Sequence, residues 1–426
     1  MTTKHLIDGR NPSKGSFYPN DVLELSEILR EHHNEAPVMV PVGGGTRLQI
    51  GGLMPRYDYA LDLSKMNEIV THNAEDLTCI VQSGITLERL QNVLKERGQF
   101  LAIDTPLPGT ATVGGTLASN APGYLRWQLA HMRDVVIGMQ VVLPSGTITK
   151  SGGPVVKNVS GYDMARLHIG GYGTLGVISE VSFKLTPLPR REGSVVVGCQ
   201  SMNEINNFSE RIYDSYAMPL SLAGINSSMA KNLGVDLQGS KYLGIVRLGG
   251  RDKAYDRQIT ITKEIFDIIG LSFFEVIEGD SCSLLWESLR DFIGYDLPNA
   301  VSGRIFSTPT RLNNLAIELI KYFEDIDAEV SIVVQPGFGT MEFHFNRSTD
   351  LPYKEPFGMM DEINMIVKNN SSNINYEKLP SNLKREFNMW GHVNHGSQVI
   401  MTSLRDTYDP TKILNRGRYI ADMGIS

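Results

Sequence analysis

Three glycine-rich stretches in the first half of the chain carry the residues best placed to grip a ligand through the backbone. The first is Pro41, Val42, Gly43, Gly44, Gly45 and Thr46. The second holds Pro108, Gly109, Thr112, Val113, Gly114, Gly115, Ser119 and Asn120, and the third, residues 170–178, ends in Gly176, Val177 and Ile178. Glycine accepts φ > 0 without a Cβ penalty, so successive N–H groups can turn toward one point. An elongated ligand with a diphosphate at its centre needs several such points. The pattern predicts a dinucleotide site, with Thr46, Thr112 and Ser119 as hydroxyl donors.

Which dinucleotide site this is depends on the elements around it. Gly171, Gly173 and Gly176 spell Gly-x-Gly-x-x-Gly, but a helix-like stretch (164–169) precedes them and a strand (177–185) follows. A Rossmann fingerprint requires the opposite order, strand and then helix. The first stretch does follow a strand (38–42), yet position 48 is Leu and no helical pattern succeeds it. No Gly-x4-Gly-Lys-Ser/Thr occurs, so a nucleotide triphosphatase has no support. What remains is a cofactor held by several loops of a mixed sheet.

Other groups keep two readings each. His392 and His395 carry imidazoles, the side chain most often used as an active-site base, or are simply exposed loop residues. Lys157, Asn158, Tyr162 and Asp163 approach a cofactor or order a turn. Arg126 and Arg133 balance a diphosphate or form surface ion pairs.

The rest of the first half supplies a capped helix within 17–33, short strands at 61–63 and 78–82, an amphipathic helix at 87–97 stopped by Gly98, and a hairpin (135–143, 147–150) turning at Pro144, Ser145 and Gly146. Residues 186–191 read as a linker. Beyond it the rhythm is strand 194–199, helix 202–216, strands 220–225 and 242–248, helix 253–269 and strand 272–277. The order recurs as 301–307, 311–323, 329–334, 339–345, 356–368 and 372–376. Each set is βαββαβ, a ferredoxin-like unit. A final helix spans about 397–407. The expected fold class is α+β, with domains at 1–188 and 189–395 and a C-terminal segment, 396–426, returning to the first.

With 426 residues, two domains are expected. A net charge of −7 and a pI near 5.8 argue against a nucleic-acid-binding face. Cys79, Cys199 and Cys282 contain no Cys-x-x-Cys pair and cannot supply a four-thiolate iron–sulfur cluster. No apolar run of 18 residues occurs, so the expectation is a cytoplasmic protein with no transmembrane segment, attached to a membrane only through partners.

Residues 36–190 resemble the FAD-binding domain of the vanillyl-alcohol oxidase / p-cresol methylhydroxylase superfamily. Val155 to Leu167 with residues 170–189, Arg133 to Gly138, Trp286 to Phe292 and Asp409 to Arg418 resemble FAD-binding subunits of the bacterial glycolate oxidase type. The resemblance implies a two-part domain of the p-cresol methylhydroxylase type, FAD held by the stretches named above, and a cap domain over the isoalloxazine. It also implies oxidation of a small 2-hydroxy acid, glycolate or D-lactate, with a second flavoprotein subunit and an iron–sulfur subunit as partners. Alternatives are an electron-relay or assembly subunit, or a stand-alone FAD alcohol oxidase.

Three departures shape these expectations. Arg47 stands where many superfamily members carry a His that tethers the flavin, so FAD should be non-covalent. Asn415, Arg416, Gly417 and Arg418 replace a terminal Asn-Pro-Gly-Arg. Gln335, Pro336, Gly337, Phe338, Gly339, Thr340, Met341 and Glu342 stand where related enzymes carry His-x-Gly-Asp-Gly-x-x-His, so no metal is expected.

Overall fold

A computed structural model describes residues 3–121, 123–125, 131–153, 162–292, 300–346 and 356–422. Lys157, Asn158 and Arg126 lie outside these. The chain forms two compact units. One contains the described residues up to Gly123, those from 131 to Leu188, and those from Val393 onward; the other contains Tyr124, Leu125 and those from Pro189 to His392.

In the first unit a parallel sheet is ordered β1 (Gly15–Phe17), β3 (Tyr59–Asp62), β2 (Met39–Val42). The helix α1 (Val22–His32) links β1 to β2, and Asp21 caps it by accepting from the amides of Leu23 and Glu24. Leu25 and Leu29 then fall on one face and pack with Met39, Leu61 and Val177. The second sheet is antiparallel and ordered β4 (Ile69–Asn73), β5 (Thr78–Gln82), β9 (Val177–Lys184), β7 (Val136–Val142), β8 (Ile148–Gly152). The helix α2 (Leu87–Lys95) is capped by Thr86 and followed by Gly98 at φ +66°. The hairpin forms where Pro144, Ser145 and Gly146 predict it, with Gly146 at φ +82°.

Three features depart from the sequence reading. β1 was not anticipated, because it is only three residues long, whereas the first helix starts after its Asp21 cap as expected. β4 was not anticipated, because its apolar residues are sparse. The second glycine stretch is not all loop: it winds into a short helix, α3 (Val113–Ala118), capped by the Thr112 hydroxyl. Gly114 permits this, since a Cβ there would lie 2.7 Å from that of Ser83.

The second unit is one eight-stranded antiparallel sheet flanked by helices. Its first half runs β11 (Arg191–Cys199), α6 (Met202–Tyr213), β12 (Ser221–Asn226), α7 (Ser227–Leu233), β13 (Tyr242–Gly250), α8 (Asp252–Ile269), β14 (Phe274–Glu278) and α9 (Gly279–Asp291). Its second half runs β15 (Ala300–Phe306), α10 (Pro309–Asp325), β16 (Ser331–Gln335), β17 (Thr340–Asn346), α11 (Pro356–Asn369) and β18 (Asn373–Lys378). The sheet order is β14-β11-β13-β12-β16-β17-β15-β18. Each half therefore has the ferredoxin-like strand order, and the two join edge to edge where Ile225 pairs with Val333. Both βαββαβ sets form as the sequence predicts. Two helices, α7 and α9, add to them and cover one face of the first half with Met229, Leu285, Trp286 and Leu289.

The C-terminal segment of the first unit is a helix (His395–Tyr408) ending in a buried charge cluster. Arg405 is fully buried; it pairs with Asp409 at 2.9 Å and Asp422 at 3.4 Å and donates to the carbonyls of Thr174 and Leu414. Removing one partner of a buried pair strands the other charge at a cost of about 3–5 kcal/mol. Arg405→Leu should lower chaotrope-measured stability by about that amount, and a loss under about 1 kcal/mol would contradict this account.

His168, at the end of α5 (Ala165–His168), and His344, on β17, are each pushed down from 6.5 to about 4 because burial disfavours the imidazolium, with Lys378 adding to the effect at His344. The unfolded chain binds these protons below 6.5, whereas the folded chain refuses them until about 4. Stability is thus complete above 6.5 and drains as pH falls through that window, by up to about 1.4 kcal/mol per pH unit for each histidine. Unfolding measured at stepped pH should show this slope, and it should flatten in the double variant His168→Gln, His344→Gln.

Candidate functional site

Backbone touching backbone brings the three glycine stretches together in the first unit. β2 ends at Val42 and delivers Gly43, Gly44, Gly45 and Thr46 directly onto the second stretch. A Cβ on Gly43 would lie 1.9 Å from the Thr112 hydroxyl, and one on Gly44 would lie 1.8 Å from the Thr110 carbonyl oxygen. Gly45, at φ +77°, turns away beside the Lys4 carbonyl. The third stretch is stitched to the second by Gly170 N–H to Leu117 O at 2.9 Å and Tyr172 N–H to Ala118 O at 2.8 Å. Asn415 closes the group. Its amide donates to Met39 O at 2.9 Å, and its side chain donates to Tyr172 O at 2.6 Å.

The free donors are concentrated in the first stretch. The amides of Gly43, Gly44, Gly45 and Thr46 donate to no protein acceptor among the described residues, and all four residues are half-buried. A run of consecutive N–H groups left without protein acceptors is suited to cradle an anion. The second stretch is different. The amides of Val113, Gly114, Gly115, Thr116, Ser119 and Asn120 are already donated to protein acceptors. The Ser119 hydroxyl donates to Gly115 O at 2.7 Å, and the Thr112 hydroxyl accepts from Gly115 N–H at 3.3 Å. Gly109, Gly115 and Asn120 are exposed, while Thr112, Val113 and Gly114 are buried. This stretch forms the wall against which the first is spread.

Gly176, Val177 and Ile178 are buried at the start of β9, in the ladder with β7. The Val177 and Ile178 side chains belong to the core, so any ligand contact from these three residues comes through the main chain. Pro41 and Pro108 are half-buried at the mouths of their stretches, and Val42 is in the core. Sequence reasoning passed over three buried oxygens beside this junction that lack a protein partner among the described residues: Ser83 Oγ, Thr116 Oγ1 and Asn415 Oδ1. No sequence signal marks them, because an unpaired oxygen is visible only once its neighbours are placed.

The remaining candidates scatter. Tyr162 is exposed, Asp163 pairs with Arg166 at 2.7 Å, and Arg133 is an exposed neighbour of Asp134. His392 and His395 are both exposed, and His395 opens the C-terminal helix rather than lying in a loop.

In the second unit, residues 335–342 form the end of β16, a short turn and the start of β17. Glu342 is bound there by protein groups. It accepts from the Tyr124 hydroxyl at 2.8 Å and from Arg304 Nε at 3.0 Å. Arg304 also reaches Glu377 at 3.3 Å. Burial alone would lower the Arg304 pKa, but Glu342 and Glu377 more than offset it and hold the guanidinium charged. Among the described residues, no group of three His, Cys, Asp or Glu side chains is arranged to hold a metal ion.

Comparison with known proteins identifies the first of these regions. Residues 13–152 match the FAD binding domain family. Mitochondrial D-lactate dehydrogenase [cytochrome] of Arabidopsis thaliana is 37% identical over 182 residues, covering 43% of this chain and 31% of that one. Mitochondrial D-2-hydroxyglutarate dehydrogenase of Bos taurus is 32% identical over 197 residues, 46% of this chain and 36% of that one. Glycolate oxidase subunit GlcD of Bacillus subtilis is 35% identical over 179 residues, 42% and 38% respectively. Each match thus spans between 31% and 38% of the relative's length. Substrate-bound p-cresol methylhydroxylase superposes with a TM-score of 0.72 at 15% identity, covering 95% of this chain and 88% of that one. Alkyldihydroxyacetonephosphate synthase gives 0.70 at 18%, covering 93% and 75%. The chain therefore has the fold of p-cresol methylhydroxylase, and within it residues 13–152 are an FAD-binding domain.

Proposed function

We propose that the chain is a subunit of an FAD-dependent enzyme that oxidises a small 2-hydroxy acid such as glycolate or D-lactate. The carrying observation is the open run of amides at Gly43, Gly44, Gly45 and Thr46 inside the matched FAD-binding domain, in a chain similar over part of its length to three dehydrogenases and oxidases of such acids. When bound, FAD supplies the two-electron redox chemistry, and the protein supplies position and polarity. The four amides take the diphosphate, and the wall formed by Thr110 and Thr112 keeps them spread. Arg47 offers no imidazole for a tether, so the flavin is held without a covalent bond.

Electrons leave through partners. Cys79, Cys199 and Cys282 are all buried. Three cysteines fall short of the four-thiolate set that an iron–sulfur cluster needs, which supports a separate cluster-bearing subunit beside a second flavoprotein. Among the described residues no helix is long and apolar enough to cross a membrane. A second reading, an FAD electron-relay subunit without turnover of its own, draws on Gln335, Phe338 and Glu342 standing where the resemblance implies two imidazoles and an aspartate.

Three experiments test these statements. The FAD-loaded chain mixed anaerobically with glycolate or D-lactate should lose its visible flavin absorbance. No bleaching by either acid, with full reduction by a partner flavoprotein, would replace this reading with the relay. Separately, Gly44→Ala should weaken FAD retention by about five- to 150-fold, because overpacking against backbone costs about 1–3 kcal/mol. Gly153→Ala, where a Cβ meets nothing within 4 Å, is the control. Acid precipitation should release all flavin into the supernatant, and flavin remaining in the pellet would contradict non-covalent binding.

A further inference from the structure

The eight-stranded sheet ends in two strands of different character. At one end β18 is covered. Its Tyr376 amide donates to Met389 O at 2.7 Å, and a Cβ on Gly391 would lie 2.3 Å from the Ile374 carbonyl oxygen. At the other end β14 pairs with β11 on one side and, among the described residues, with no strand on the other. The ladder fixes which groups are left open. Gly198 of β11 donates to Phe273 O at 3.1 Å and accepts from Ser272 N–H at 3.1 Å. Bonded and non-bonded pairs alternate along an antiparallel ladder. Val196 with Glu275 and Ser194 with Ile277 are therefore the bonded pairs, and the N–H and C=O groups of Phe274, Val276 and Glu278 point outward from the sheet.

An open row of backbone groups is a template for another strand. The side chains along this row differ from end to end. Residues 274, 276 and 278 share one face, because strand side chains alternate. Phe274 lies under a cation, with the Lys263 ammonium of α8 5.0 Å from its ring centroid. Glu278, at the other end, is a carboxylate held at 2.9 Å by Arg191. Between them Val276 is an apolar, β-branched residue that is 41% exposed. On the opposite face Ile277 packs against the cluster that holds Trp286, and Glu275 is exposed.

We propose that β14 is a self-association edge, through which two copies of this chain join antiparallel, centred on Val276, so that their two sheets become one. In that register Val276 meets its own counterpart, and Phe274 meets Glu278 of the second copy. All three outward-facing residues of each copy then find backbone partners. The same register sets the cation over Phe274 beside the carboxylate of Glu278 at both ends of the join, which is the self-complementarity that a two-fold interface requires. Lys263 also pairs with Asp267 at 3.0 Å, but both groups are exposed and a surface pair of this kind is shared at little cost. A parallel join would instead bring the two Glu278 carboxylates together. One repulsion remains: the two Glu275 side chains lie diagonally across the join, about 7–8 Å apart. Five residues a side is also small against the roughly 1,600 Å² of a stable complex, so the dimer forms reversibly as concentration rises.

The test is sedimentation equilibrium on the full-length, FAD-loaded chain. The mass should climb from one chain toward two with concentration and stop there, because an isologous join closes at two copies. Val276→Pro should weaken association at least about tenfold. Proline removes an outward N–H and leaves the ladder with β11 whole, so the melting temperature should hold. Val276→Lys keeps the backbone donor and opposes two ammonium groups, and it should weaken association as strongly. Glu275→Gln should tighten it severalfold. A single-chain mass at every concentration, growth beyond two copies, or association unchanged in both Val276 variants overturns the proposal.

Discussion

Contact between two main chains governs the first unit. Gly43 and Gly44 approach Thr112 and Thr110 so closely that a single added carbon would overlap an oxygen. That approach has a cost, because unsubstituted backbone loses more freedom on folding. What it gains is orientation. With no side chains between them, the turn after β2 lies against the second stretch, and four consecutive amides are left without a protein acceptor among the described residues. In an acidic chain with a net charge of −7, an anionic group is held more readily by oriented dipoles than by a broad positive field.

The C-terminal segment fixes this arrangement from behind. Asp409 accepts from the amides of Ile413 and Leu414, which shapes the turn after the last helix, and it pairs with Arg405. The same guanidinium bonds the Thr174 carbonyl inside the third glycine stretch. Arg418, also buried, donates to the Leu48 and Ile50 carbonyls just beyond the first stretch. Two arginines thus join residues distant in sequence through carbonyl oxygens. The stretches can be rich in glycine and still be well ordered, because their order comes from the framework and not from their own propensities.

Much of this was legible from residue types alone. The ferredoxin-like halves could be read because strand and helix periods alternate cleanly and turn residues separate them. The rejection of a Rossmann site at Gly171, Gly173 and Gly176 likewise follows from element order, and the structure has the helix α5 before them and β9 after. Short, weakly apolar elements were not legible. β1 has three residues, and α3 hides in a glycine run whose helical propensity is poor; it forms because the Thr112 cap and the Ser83 contact override that propensity. The division of labour between the first two stretches was equally hidden. Both look like amide donors in sequence, yet the hydrogen bonds of the second are spent on its own helix.

The polar half-sheet of the second unit shows why chemistry of this kind escapes sequence reading. Ser302, Arg304, Glu342, His344, Glu377 and Lys378 come from three strands and have no mutual spacing in the chain. Each taken singly looks like an ordinary surface residue of an alternating strand. Only the register of β15 with β17, together with the bulge opposite Ser302, brings them to one face, and only burial makes their pairing matter. The two halves of the sheet share one topology, so topology alone does not explain the difference between an apolar and a charged face. The alternating positions that hold Val196, Leu243 and Ile245 in one half hold Arg304, Glu342 and His344 in the other. In the second half, stability has been given up at those positions, since apolar groups of similar size would avoid the desolvation cost of the ion pairs. Arg304 nevertheless stays charged there, because Glu342 and Glu377 outweigh the desolvation of its guanidinium.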